Sequence, residues 1–151
     1  MAKFVYSMQN VLEIKKKLET QAKLAFSQAN NKYLQEQANL MELQLKKTEY
    51  DDLLKTELEG NIDVKKVTVA RKNVNTMKTL IRYQSMEVVK AKKKLEEERE
   101  KLQQIMQERK THELLREKAF EEFKKEIARE EAKEIDGLIS FTYSGNNKGE
   151  G

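Results

Sequence analysis

The chain has 151 residues, 30 Lys and Arg against 26 Asp and Glu, one His, and a formal net charge of +4. Ala, Glu, Lys, Leu and Arg number 10, 22, 24, 16 and 6, together 78 of the 151 residues, while proline and cysteine are absent. Half a chain in those five types is the composition of long helices and coiled coils, and the lack of cysteine excludes disulfides and thiolate chemistry.

A first helix is predicted over roughly residues 5–59 from its unbroken, proline-free pattern. It carries apolar steps in two stretches, Leu18, Ala22, Ala25, Ala29 and Leu40, Leu43, Lys47, Tyr50, Leu54. The internal break is Glu59-Gly60-Asn61-Ile62-Asp63, with the turn at 60–62. Gly60 suits the left-handed conformation that ends a helix, and Asp63 suits the cap of the next one. A second helix is predicted over roughly residues 63–137. Stepping by three and four along it gives Val67, Ala70, Val74, Met77, Ile81, Gln84, Val88, Ala91, Leu95, Glu98, Leu102 and Ile105, ten of twelve apolar. That 3.5-residue period is the seam of a coiled coil. At ~1.5 Å per residue the two helices would be about 80 Å and 110 Å long. Residues 144–151 are too polar and glycine-rich to fold and are expected to be a disordered tail behind a single domain at 1–143.

If the chain doubles back at Gly60, residues whose numbers sum to about 124 face each other. Val74 then meets Tyr50, Ile81 meets Leu43, Leu95 meets Ala29, Leu102 meets Ala22 and Ile105 meets Leu18; across the lower stalk large residues mostly meet small ones, as close packing requires. The expected fold is all-α: two long helices forming an antiparallel coiled-coil hairpin, an elongated rod that is monomeric in isolation. A parallel homodimer is the alternative, and it would need self-complementary seams and a helix running through Gly60. Beyond Ala119, opposite Phe4, the second helix is expected to outrun its partner. Phe120, Phe123 and Ile127 would then form a stripe with nothing in the same chain to cover it.

Charge is unevenly distributed. Residues 60–95 hold ten basic residues and two acids, while residues 96–136 hold ten basic and fourteen acidic ones. Such opposite ends suit different partners at different heights. No glycine-rich phosphate loop occurs, and the acids at Glu96-Glu97-Glu98 and Glu130-Glu131 are adjacent, so they point around a helix rather than converge on a metal. His112 falls on the seam between Arg109 and Arg116, a tolerated polar core position before it is a base or ligand. Lysines 90, 92, 93 and 94 flank seam residues Ala91 and Leu95, whereas a basic-zipper reader keeps its basic region clear of the seam. A solvated face is the first reading for them, an acidic protein partner the second and nucleic acid the last. No apolar run is long enough to span a membrane and no secretory signal pattern opens the chain, so neither direct membrane insertion nor export is expected. Catalytic residues, metal ligands and cofactors are not expected either.

Both ends of the sequence resemble the flagellar FliJ protein family. The opening Met-Ala-Lys-Phe-Val-Tyr-Ser-Met-Gln-Asn-Val-Leu, followed by Glu19, Ala22, Lys23, Ala25 and Ala29, is similar to the family's N-terminal pattern, with its aromatic start and apolar-Gln pair at Met8-Gln9. The closing Arg129-Glu130-Glu131-Ala132-Lys133-Glu134-Ile135-Asp136 is similar to its acidic C-terminal pattern, with Gly137 where the family commonly keeps an acid. The resemblance covers essentially residues 1–143.

The resemblance implies a non-enzymatic stalk of the bacterial type III flagellar export apparatus, similar to the central stalk of rotary ATPases. Such a protein docks in the export ATPase ring, promotes its activity, contacts the cytoplasmic domain of the membrane-embedded export gate and interacts with export chaperones. It would be cytoplasmic and peripherally associated with the membrane at the flagellar base, in the service of motility and chemotaxis. The positions aligned with the family's gate-binding stretch are Asn39, Leu43, Lys46, Tyr50, Asn73, Met77, Leu80 and Gln84, with Lys46 replacing an aromatic of some relatives. The heptad adds that Asn39, Lys46, Leu53, Asn73 and Leu80 all fall at g, on one side of an antiparallel pair. Docking in the ring is assigned to Phe120, Phe123 and Ile127. A coiled-coil holdase chaperone and a rotary-ATPase central-stalk subunit are the alternatives; the latter normally carries a folded domain for which this chain has no room.

Overall fold

Without proline to remove a hydrogen bond, the backbone sustains two long helices, α1 (Gln9–Glu57) and α2 (Val64–Asn147). They appear in a computed structural model that describes residues 2–147. Between them the chain closes α1 with the amides of Leu58 and Glu59 donating to the carbonyls of Leu54, Lys55 and Thr56, at 3.1–3.2 Å. Gly60 follows at φ +72°, and no other residue among those described takes a positive φ. Asp63 then caps α2, its carboxylate accepting from the Lys65 amide at 3.0 Å. An acid is favoured there because the first amides of a helix have no partner within it.

Three boundaries differ from those expected. α1 starts at Gln9 rather than near residue 5 and ends at Glu57 rather than 59. Residues 2–6 stay out of the helix, and the Phe4 ring lies against α2 instead. α2 does not stop near 137 but continues to Asn147. One interior glycine costs only about 1 kcal/mol, and the next residues, Leu138 to Tyr143, include several that tolerate a helix. Ser144 to Asn147 of the expected tail are thus helical, and residues 148–151 lie outside the described residues.

The chain divides into two compact units, Thr20–Gln104 on one hand and Met1–Glu19 with Ile105–Gly151 on the other. In the first, α1 and α2 run antiparallel on either side of the turn. Ala22, Ala29, Val74, Ala91 and Leu95 are its buried apolar residues. The two polar interruptions of the α2 seam are accommodated there. The Gln84 amide donates to the Glu36 backbone carbonyl at 3.0 Å and to its carboxylate at 2.5 Å. Glu98 is buried but paired with Lys94 at 2.9 Å and Lys101 at 3.7 Å. Hydrogen bonding from Lys94 is the main cause that holds its carboxyl below the ordinary carboxylate range, against the opposing effect of burial, with the Lys101 charge adding to it. The same bond raises the Lys94 ammonium above its usual value. Arg99 stacks over the Phe26 ring, 5.9 Å from its centroid.

In the second unit Leu12, 2 % exposed, is the best-buried side chain. Buried Glu19 is ion-paired with Arg109, which also holds Glu113 at 2.9 Å. Those two carboxylates, Glu113 first, raise the Arg109 guanidinium further above its already high value. Lys15 meets Glu108 at 2.7 Å, and the Arg116 side chain donates to Gln9 at 3.0 Å. Within each unit the paired residues keep near the expected sum of 124. Glu36 with Gln84 gives 120 and Phe26 with Arg99 gives 125, while Lys15 with Glu108 gives 123 and Glu19 with Arg109 gives 128.

The lower α1 seam needs correction. Leu18 is 39 % exposed and Ala25 only half-buried, whereas Glu19, Ala22 and Ala29 are buried and Phe26 half-buried. One heptad therefore serves all of α1, with Leu12, Glu19, Phe26, Tyr33, Leu40, Lys47 and Leu54 at a and Lys15, Ala22, Ala29, Glu36, Leu43 and Tyr50 at d. Polar groups occupy four of those positions because each has a partner: Lys15 in Glu108, Glu19 in Arg109, Glu36 in Gln84, and Lys47 in Asp51 at 2.9 Å.

Candidate functional site

Near the turn, within the unit Thr20–Gln104, the seam widens into a groove on its g edge. Tyr50, Leu53 and Glu57 of α1 line it with Lys66, Val69, Ala70 and Asn73 of α2. The groove exists because Ala70 is small where two helices would otherwise close over one another. Tyr50 and Asn73, two of the eight positions assigned to the gate, are brought together here, and Leu53 lies beside them, more than half exposed.

The other assigned positions divide by heptad class. Leu43, Met77 and Gln84 are half-buried seam residues, the last held by Glu36. Asn39, Lys46 and Leu80 are exposed, with Lys46 3.5 Å from Glu42 and Leu80 41 % accessible. Leu80 does not share the Tyr50 groove. It borders a shallow depression on α2 alone, with Thr76, Thr79 and Arg71. The expected continuous g surface is thus a groove at the turn with Leu80 set apart from it. Sequence reasoning missed Val69, an exposed apolar residue on the groove wall whose c position is outside the seam.

In the other unit, Phe120 and Phe123 are not left without an intramolecular neighbour. The Phe4 ring packs edge-on against Phe120 at 5.0 Å between centroids and tilted against Phe123 at 5.4 Å. Arg116 stacks on the outer side of Phe4 at 5.8 Å, and Lys124 lies 4.5 Å from the Phe120 centroid. Aromatic pairs prefer such edge contacts. Phe120 stays over a third exposed and Phe123 and Ile127 half-buried. The fully open apolar residues lie further along α2, at Ile135, Leu138, Ile139, Phe141 and Tyr143. His112 is half-buried, and its Nδ1, like the Tyr6 hydroxyl, has no hydrogen-bond partner among the described residues.

No group of three or more His, Asp or Glu among the described residues converges as a metal site would require. None of the described helices is long and apolar enough to cross a membrane. What the side chains offer is edges and grooves of a paired coil. The match to the family described as the flagellar FliJ protein spans residues 4–148. The chain belongs to that family, and it is a stalk-type component associated with type III export. A solved structure described as a YscO homolog, CT670 from Chlamydia trachomatis, has the same fold. The TM-score is 0.80 at 20 % identity, over 97 % of this chain and 99 % of that one. No curated protein sequence matches the chain.

Proposed function

We propose that this protein docks in the ring of the flagellar export ATPase, promotes its activity, and couples it to the cytoplasmic domain of the export gate and to export chaperones. The observation that carries the reading is the accessible groove around Tyr50, Leu53 and Asn73 in a member of the FliJ family. A paired coil with no partner would close its edge with charges there, yet Leu53 and Val69 are exposed. Asn39, Leu43, Lys46, Tyr50, Asn73, Met77, Leu80 and Gln84 form the gate side in this reading. Leu43, Met77 and Gln84 hold the seam in register, while Tyr50, Asn73 and Leu80 meet the partner.

Phe120, Phe123 and Ile127 form the ring side, with Phe4 as a fourth member. A cluster already packed with its own aromatic is pre-ordered, so docking costs less side-chain entropy than a free stripe would. The protein acts in the cytoplasm, held at the membrane by the gate rather than by any segment of its own. Immobilised protein should retain both the purified ATPase and the purified gate domain. Tyr50→Asp with Leu53→Asp should lose only the gate domain, and truncation after Glu117 only the ATPase. Loss of both from either variant, or of neither, would contradict the division.

A further inference from the structure

Apart from Lys65 and Lys66, which line the groove at the turn, the basic excess of residues 60–95 belongs to neither surface, and it is not spread evenly around the coil. The grooves of the unit Thr20–Gln104 fix the sides. One is lined by Ala25, Lys32, Glu87 and Lys94 and another by Leu53, Lys66 and Asn73, all at g. The g edges of both helices therefore share one side, and the e edges share the other. On the g and c side Lys32, Lys46, Lys66, Lys90, Lys94 and Lys101 stand against Glu42, Glu49, Glu87 and Glu97, and Lys46, Lys90, Lys94 and Lys101 are each paired.

The e and b side is different. Arg71, Lys78 and Lys92 at e and Arg82 at b are exposed, and none of their side chains makes an ion pair or hydrogen bond within the described residues. The e positions of α1 facing them are mostly amides, Asn30, Gln37 and Gln44, and the acids of this side are already engaged, Asp51 by Lys47 and Glu96 by Arg99. Leu34 and Met41 at b of α1 and Val89 at b of α2, all more than half exposed, lie on the same side. From Arg71 to Lys92 the stripe is about 30 Å long at 1.5 Å per residue.

We infer that this e-edge face is a second docking surface, for an acidic amphipathic helix of another protein. Exposed apolar residues on both rims of this face, Leu34 and Met41 on α1 and Val89 on α2, with four unpaired cations among them, complement a helix with leucine-like residues on one stripe and carboxylates flanking it. Nucleic acid would meet the same cations, but Leu34, Met41 and Val89 would then face a polar phosphate backbone and stay unburied. The inference is independent of the ATPase reading, which uses the other unit, and meets the gate reading only where Arg71 borders the depression beside Leu80.

The probe is a synthetic, fluorescein-labelled helical peptide of 21 residues, with Leu at every third and fourth position and Glu on both flanks of that stripe. Fluorescence anisotropy is measured with the full chain at fixed ionic strength, since exposed charges are screened by salt. The peptide should bind at least about tenfold more tightly than a scrambled peptide of the same composition. Lys78→Glu with Arg82→Glu should weaken it by about tenfold or more, and Met41→Ser by about threefold. Lys46→Glu with Lys66→Glu, on the g edge, should change it by less than about twofold. Each variant's thermal melt, compared with that of the parent chain, separates lost binding from lost fold. Equal binding of the scrambled peptide, tighter binding of a DNA duplex of 20 base pairs, or no effect of the Lys78 and Arg82 changes would overturn the inference. So would self-association of the chain that the same two changes abolish, because a second copy would then occupy the face.

Discussion

Replacing Leu80 with Asp separates a docking residue from a core residue. Leu80 is 41 % exposed at a g position, whereas Leu95, at a, is 5 % exposed. Burying a large aliphatic side chain is worth about 1.5–3 kcal/mol, so the partly buried Leu80 contributes roughly 1–2 kcal/mol. At about 2–4 °C per kcal/mol for a chain of this size, Leu80→Asp should lower the melting temperature by roughly 2–8 °C. Leu95→Asp removes nearly the whole side chain from the seam and leaves a carboxylate among Ala29 and Ala91. That should cost about 4 kcal/mol or more and lower melting by about 8–16 °C or more. Circular dichroism melts at equal protein concentration give the first comparison, and titration calorimetry with the purified gate domain gives the second. Leu80→Asp should reduce gate affinity by at least about tenfold. A melting loss equal to that of Leu95→Asp would place Leu80 in the core, and unchanged affinity would remove it from the gate surface.

Cysteines at Ala29 and Leu95, two buried residues whose numbers sum to 124, should form a disulfide within one chain on oxidation; exclusive formation between chains would favour the parallel dimer. Gly60→Ala meets no neighbour within 4 Å but must adopt φ +72°, so it should cost about 1–2 kcal/mol from backbone strain alone, read by chemical denaturation. Because the Glu98 carboxyl is held below its ordinary 4.5 by the Lys94 bond, its contribution is present above that value and lost as pH falls through the folded pKa. Stability should therefore decline on acidification below about pH 4.5, and Glu98→Gln should flatten part of that decline; an identical pH profile for the variant would contradict the assignment.

The α2 seam could be read from sequence because Val74, Ala91 and Leu95 repeat at 3.5 residues with no competing apolar register. The lower half of α1 offered two registers one residue apart. Leu18 and Ala25 completed the more apolar of them, but the folded chain uses Glu19 and Phe26. Pattern alone could not find Glu19, since its burial depends on Arg109, ninety positions away. The packing of Phe4 on Phe120 and Phe123 was hidden for a related reason. Residues 2–6 are not helical, so heptad arithmetic does not reach them. A clue was present in the aromatic at Phe4, whose number sums with Phe120 to 124. The gate positions came from family resemblance together with g-edge geometry, and Val69, at c, escaped both.

The most direct test of the account is the hydrolysis rate of the purified export ATPase titrated with the full chain. Turnover should rise and saturate, and Phe120→Asp with Phe123→Asp should abolish the rise while the chain keeps its helical signal. A rate unchanged by the full chain at saturating concentration would contradict the proposed role.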